Sequence, residues 1–195
     1  MKKILIIAIL LMPVFAFANS YANNDAEKFI RNLEGRILGV IQDDALEDDA
    51  KQEKLELLFD DIVDVEWIGK FVLGKHWRRA TDEQKKDFIA TYSEFLKKTY
   101  VSNFNKYDGE KVEVKSSRDD GDNKYLVKTA VIQSNGKPLD VVYRIKSKDG
   151  KMKVFDIQVE GVSLLNTQRE EFTSVVSRDG LDSLIGKMKF RLKSL

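Results

Sequence analysis

The hydrophobic period of this chain changes between Tyr107 and Lys111, and that switch limits the folds open to it. Before it, apolar residues recur every three or four positions: Phe29, Leu33, Ile37 and Val40-Ile41, then Leu55, Leu58-Phe59 and Ile62. That spacing puts them on one side of two amphipathic helices. After it the period is two. Val112 and Val114 alternate with Lys111, Glu113 and Lys115; Tyr125, Val127, Thr129 and Val131 alternate with Leu126, Lys128, Ala130 and Ile132, and Leu139, Val141, Tyr143 and Ile145 with Asp140, Val142, Arg144 and Lys146, so several strands carry apolar residues on both faces. Asn135-Gly136 and Asp149-Gly150 are turn signals, and a last strand runs from Met152 to Val159. Four strands joined by short polar turns read as an antiparallel meander. Gly161 to Leu165 leaves the sheet, and helices are expected over Thr167 to Ser177 and Leu181 to Phe190, broken at Asp179-Gly180. Helices, then a sheet, then helices give an α+β class, with a single domain expected over residues 19–195.

The helical part carries more detail toward its end. Val65 to Leu73 reads as a short apolar helix closed by Gly74. Thr81-Asp82-Glu83-Gln84 has the form of a capping box, in which the Thr hydroxyl and the Gln side chain satisfy each other's backbone donors. A long helix starts there. On one side of it fall Phe88, Tyr92, Phe95-Leu96, Thr99-Tyr100, Asn103-Phe104 and Tyr107. An ordinary packed helix shows an apolar stripe of about 100°, and this one is wider and rich in aromatic residues.

Within Trp67 to Tyr107, the residues Ile68-Gly69, Leu73-Gly74, Trp77-Arg78, Ala80-Thr81, Gln84, Phe88 and Thr99-Tyr100 form an ordered set. Val141, Tyr143, Asp156 and Gly161-Val162-Ser163-Leu164 continue it. This pattern resembles the MlaC family, also called toluene-tolerance proteins, along nearly the whole chain after its first residues. The resemblance implies helices wrapped on a twisted antiparallel sheet, and a soluble periplasmic carrier that shuttles phospholipid between the two membranes of Gram-negative envelopes. It also implies two docking partners, a lipoprotein-associated complex at the outer membrane and an inner-membrane ABC transporter complex.

The first residues carry an address. Lys2 and Lys3 precede an apolar stretch from Ile4 to Phe15, and Ala16-Phe17-Ala18 has the A-x-A form of a cleavage site. This reads as a secretory signal peptide over residues 1–18, cleaved after Ala18. The stretch is shorter than the roughly 20 residues a membrane span needs. The sequence has no Cys, so neither a disulfide framework nor a lipid-attached cysteine is available. The expected product is an untethered monomer held together by its core. Without Lys2 and Lys3, 31 of the 33 basic residues remain against 32 acidic ones, which speaks against nucleic acid as a partner.

Catalytic constellations are nearly missing. His76 is the one histidine, and no G-x-S-x-G elbow, P-loop, dinucleotide fingerprint or metal-ligand spacing accompanies it. The chain therefore reads as a binding protein without a cofactor, not an enzyme. Moving acyl chains into water costs about 0.8 kcal/mol per methylene, so a carrier must cover them with apolar walls. The candidate lipid-binding residues are Phe71, Phe88, Tyr92, Phe95, Leu96, Tyr100, Val131, Val141, Tyr143, Ile145, Val159 and Leu164. Lys70, Lys75, Arg78 and Arg79 could meet a lipid phosphate or be plain solvated surface; Trp67 and Trp77 read as core anchors. Two other readings stay open on sequence alone. In one, the apolar faces simply pack and the acidic clusters dock a partner; in the other, Ser163 or another serine near His76 makes a lipid esterase.

Overall fold

The computed structural model describes residues 24–102, 107 and 109–194. The expected signal peptide, Asn103 and Phe104 lie outside the described residues. Four helices come first: α1 (Asn24–Ile41), α2 (Asp48–Ile62), α3 (Val65–Leu73) and α4 (Asp82–Leu96). Local chemistry sets their ends. The Asp64 carboxylate accepts from the Trp67 amide at 3.1 Å and starts α3. A tight 3-10 turn over Gly74–Arg79 leads to α4. There the capping box forms as expected, with Gln84 N donating to Thr81 Oγ1 and Thr81 N to Gln84 Oε1, both at 3.1 Å. Such a cap contributes about 1 kcal/mol.

The expected long helix does not continue as one regular element. After Leu96 the chain widens into a π-helical turn over Lys97–Val101. Lys97 Nζ sits 2.8 Å from the Asp60 carboxylate, so this turn is tied to the end of α2.

The sheet has strands β1 (Lys111–Asp119), β2 (Lys124–Ile132), β3 (Pro138–Lys148), β4 (Lys151–Val159) and β5 (Val162–Ser163), antiparallel in chain order. The four expected strands are present, and the two-residue β5 adds a fifth. Glu160 and Gly161 form the turn before it, with φ of 49° and 79°. Positive φ at both central residues suits a two-residue hairpin, and Gly takes it without steric cost. This is a physical reason for the Gly161-Val162 part of the motif.

Two helices close the chain, α5 (Leu164–Asp179) and α6 (Leu181–Leu192). The first begins three residues before the expected Thr167. Ser163 Oγ accepts from Asn166 N at 3.0 Å, while the Asp156 carboxylate accepts from Leu165 N at 3.0 Å and from Ser163 Oγ at 2.7 Å. The start of α5 is thus held by a strand residue, which a local pattern does not reveal.

Apolar side chains gather in two clusters. One joins α3, α4, α5 and α6 through Ile68, Val72, Phe88, Tyr92, Phe172, Ile185 and Met188, and takes in Phe155 of β4. In the other, Ala26, Ile30 and Leu33 of α1 and Leu58 of α2 meet Val127, Ile145 and Val154 of the sheet. Gly69 sets the spacing of α3 and α4, because a Cβ there would lie 2.4 Å from Ile89 Cδ1 and 3.3 Å from Phe88 Cε1. Where the two clusters face each other they do not merge, and a cavity lies between them.

Candidate functional site

The cavity has a volume of about 630 Å³, within the range of roughly 300–1,000 Å³ common for ligand clefts. Each wall follows from an amphipathic stripe. From α1 come Ile30, Leu33, Ile37, Leu38 and Ile41, and from α2 Leu55, Leu58, Phe59 and Ile62. Tyr92 and Leu96 of α4, one turn apart, are followed by Tyr100 and Val101 from the π-helical turn. The sheet adds Val112, Val131, Tyr143, Val154, Phe155 and Ile157, and α5 adds Leu164, Leu165 and Gln168. A bulge in β4, where the register shifts between Arg144 and Ile145, lets Phe155, Asp156 and Ile157 all reach this wall.

Six of the twelve candidate residues lie on the wall: Tyr92, Leu96, Tyr100, Val131, Tyr143 and Leu164. The other six are placed elsewhere. Phe88 is fully buried among the helices, stacked on Tyr92 at 5.4 Å and edge-on to Phe172 at 6.2 Å. Phe71 stacks on Trp67 at 5.4 Å, with the Arg169 guanidinium 4.5 Å from its ring centre. Phe95 packs against the helical core. Ile145 belongs to the cluster beneath α1 and α2. Val141 is buried within β3 and pairs with Val159, which is half-buried at the end of β4. An aromatic stripe alone does not tell cavity from core, because both need apolar atoms at the same helical spacing.

The polar groups on the wall are few, and several have partners within the protein. At the end nearest α5, the Tyr92 hydroxyl donates to Gln168 Oε1. Burial pushes the Tyr92 phenol far above its ordinary range, so it remains a donor. Asp156, whose side chain is fully buried, has Arg144 at 3.6 Å besides its two hydrogen bonds at the start of α5. On the α1 side, Glu34 Oε1 accepts from Val112 N at 3.2 Å, and the Tyr107 hydroxyl donates to the Glu110 carbonyl at 3.0 Å. Burial raises Tyr143, with the Glu34 carboxylate adding to the shift, and burial also raises Tyr100. These phenols stay neutral. They offer hydroxyls in a wall that is otherwise hydrocarbon.

The contribution of α1 and α2 was not among the candidate residues, although the stripe Ile30, Leu33, Ile37, Ile41 signals an apolar face. Trp67 and Trp77 both pack against the helical core. None of Lys70, Lys75, Arg78 and Arg79 is on the wall; Lys70 is taken up by Glu66 at 2.5 Å. Ser163 is engaged as the cap of α5, and the serine beside His76 is Ser177, 3.3 Å from Nε2. Neither His76 nor Ser177 reaches the cavity. The described residues contain no group of three or more His, Cys, Asp or Glu arranged to hold a metal. Among them, no helix is long and apolar enough to cross a membrane.

Comparison with known proteins gives a consistent picture. The profile of the MlaC protein family matches residues 17–189. The intermembrane phospholipid transport system binding protein MlaC of Haemophilus influenzae is 30% identical over 131 residues, covering 65% of this chain and 61% of that protein. Toluene tolerance protein ttg2D of Pseudomonas putida is 25% identical over 131 residues, covering 67% of this chain and 61% of that protein. The chain thus spans about three fifths of the length of these relatives. A phospholipid-binding protein of Ralstonia solanacearum, solved in complex with a phospholipid, superposes with a TM-score of 0.75 at 24% identity, over 87% of this chain and 97% of that one. At that identity the likeness shows a shared fold.

Proposed function

The chain belongs to the MlaC family, and from that premise we propose that it is a periplasmic phospholipid carrier, loading acyl tails into the cavity and leaving the headgroup near solvent. The observation that carries this reading is the 630 Å³ space walled by aliphatic and aromatic residues of α1, α2, α4, the sheet and α5. A tail of about fourteen methylenes gains about 11 kcal/mol on leaving water for such walls, enough to hold a lipid across an aqueous gap. The mature carrier begins after cleavage at Ala18 and works as a soluble monomer. It exchanges cargo with an outer-membrane lipoprotein complex and an inner-membrane ABC transporter complex, and carries out no reaction of its own.

A transfer assay between two vesicle populations tests this reading. Delipidated protein, residues 19–195, is mixed with donor vesicles holding a labelled phospholipid and unlabelled acceptors. A carrier moves label at a rate that rises with protein concentration, without vesicle fusion. Label that stays in the donors at every concentration contradicts the proposal.

A further inference from the structure

Among the described residues, four tyrosines line the cavity, and their hydroxyls are not equally engaged. Tyr92 donates to Gln168 and Tyr107 to the Glu110 carbonyl. Tyr100, at 38%, is the most exposed of the four, so water can serve its hydroxyl. Tyr143 lies deeper, and among the described residues its hydroxyl has no hydrogen-bond partner. It is not sealed in the wall either. The residue is half-buried, while burial holds its phenol above the ordinary range. A side chain set that deep and still accessible shows its open surface to the cavity.

The surroundings decide what can meet this hydroxyl. Tyr143 stands in the middle of β3, directly opposite Val127 of β2 and Ile157 of β4, with Ile145 two residues on along the same face. Ile37 of α1 and Ile62 of α2 pack on the same cluster. While the cavity is empty, water can satisfy the hydroxyl. A tail that fills the cavity drives that water out, and a donor left without an acceptor among hydrocarbon is costly.

We propose that the Tyr143 hydroxyl reads the linkage of the bound lipid, donating to an ester carbonyl oxygen at the head of a buried acyl tail, so that the cavity prefers diester lipids over diether lipids of the same shape. This rests on the carrier reading and deepens it. The ester carbonyl is the first acceptor above the methylenes, and it is neutral. A phosphate would have to shed its water among Val127, Ile145 and Ile157, which an anion resists far more than a carbonyl does. An ether oxygen is a poorer acceptor and does not project from the chain.

The test is competitive loading of wild type and Tyr143→Phe. Each delipidated protein, residues 19–195, is incubated with vesicles holding equal parts of phosphatidylethanolamine with two ester-linked chains and its counterpart with two ether-linked chains of the same length. The protein is re-isolated and its bound lipids are counted by mass spectrometry. The ester-to-ether ratio in the wild type, divided by that in the variant, isolates the hydroxyl from any other difference between the lipids. The expected quotient is about three- to tenfold, the worth of one hydrogen bond. Because the hydroxyl has no partner in the described fold, the empty variant should unfold at the same denaturant midpoint as the empty wild type or a higher one. A quotient of one overturns the inference, including the case in which both lipids are lost by the same factor, which would make the phosphate the partner. So does a variant that is clearly less stable when empty, since the hydroxyl would then be engaged within the protein. Each of these results leaves the carrier reading standing, whereas uptake of neither lipid by the wild type overturns both.

Discussion

The hydroxyl of Tyr92 donates to the side-chain oxygen of Gln168, joining α4 to α5 at the cavity wall. Tyr92 is fully buried, and its ring is also clamped between Phe88 at 5.4 Å and Phe172 at 5.5 Å. Tyr92→Phe keeps the ring contacts but leaves the Gln168 amide without that partner beside hydrocarbon. An unsatisfied group of this kind costs about 1–3 kcal/mol. Chemical denaturation should show a lower midpoint with an unchanged slope; a midpoint equal to that of the wild type contradicts this account of the α4–α5 joint.

Asp156 should matter more. Its carboxylate holds Leu165 N and Ser163 Oγ and lies beside Arg144, linking β4 to both β3 and the first turn of α5. Asp156→Ala removes all three contacts and leaves a buried amide with no acceptor. A loss of roughly 3 kcal/mol is expected, read by the same denaturation experiment, and hydrogen exchange should rise first at the start of α5. A change within about 0.5 kcal/mol, as at ordinary surface positions, would remove Asp156 from this role.

The end of α5 gives a pH dependence of known sign. Hydrogen bonds from Arg178 and Lys187 bring the Asp179 carboxyl down from 3.8 to about 2. Because the folded value lies below the unfolded one, the stabilisation is present above pH 3.8 and is lost as pH falls toward 2. The group is exposed, so the effect is small and screened by salt. Thermal midpoints of wild type and Asp179→Asn should differ near neutrality and converge by about pH 2. A gap that does not depend on pH would show that the carboxylate charge is not the cause.

Tyr143 projects from β3 onto the cavity wall. Tyr143→Trp puts a larger ring there and removes volume that a tail would occupy. Lipid bound per protein should fall by half or more while the denaturation midpoint moves by about 1–3 kcal/mol, the usual cost of overpacking. Unchanged loading in a folded variant would show that this side chain does not border the cargo.

The parts of this fold that were legible in the sequence are those set by local chemistry. Thr81 and Gln84 announce the start of α4 because both halves of the capping box lie within four residues. The change of period after Tyr107 marks the passage to strands, because alternation is a property of neighbouring residues. β5 escaped, since two residues carry no period. The true start of α5 depends on Asp156, seven residues before its Ser163 partner, and nothing between them spells out the contact. Gly69 and Gly161 stood in the family pattern without an obvious reason; one permits the close approach of Ile89 and the other takes a positive φ. The cavity was the least legible feature. Phe88 and Tyr92 sit one turn apart and stack on each other, yet Tyr92 alone reaches the wall. Helices α1 and α2 supply much of the lining, and their stripes read equally well as ordinary core until the sheet beneath them is placed.

Native mass spectrometry of residues 19–195, exported and gently purified from a Gram-negative host, tests the central claim most directly. The account predicts a main species heavier than the polypeptide by the mass of one intact phospholipid, released on collisional activation and much reduced in Tyr143→Trp. A polypeptide that is empty as isolated, and that stays empty after incubation with phospholipid vesicles, would contradict it.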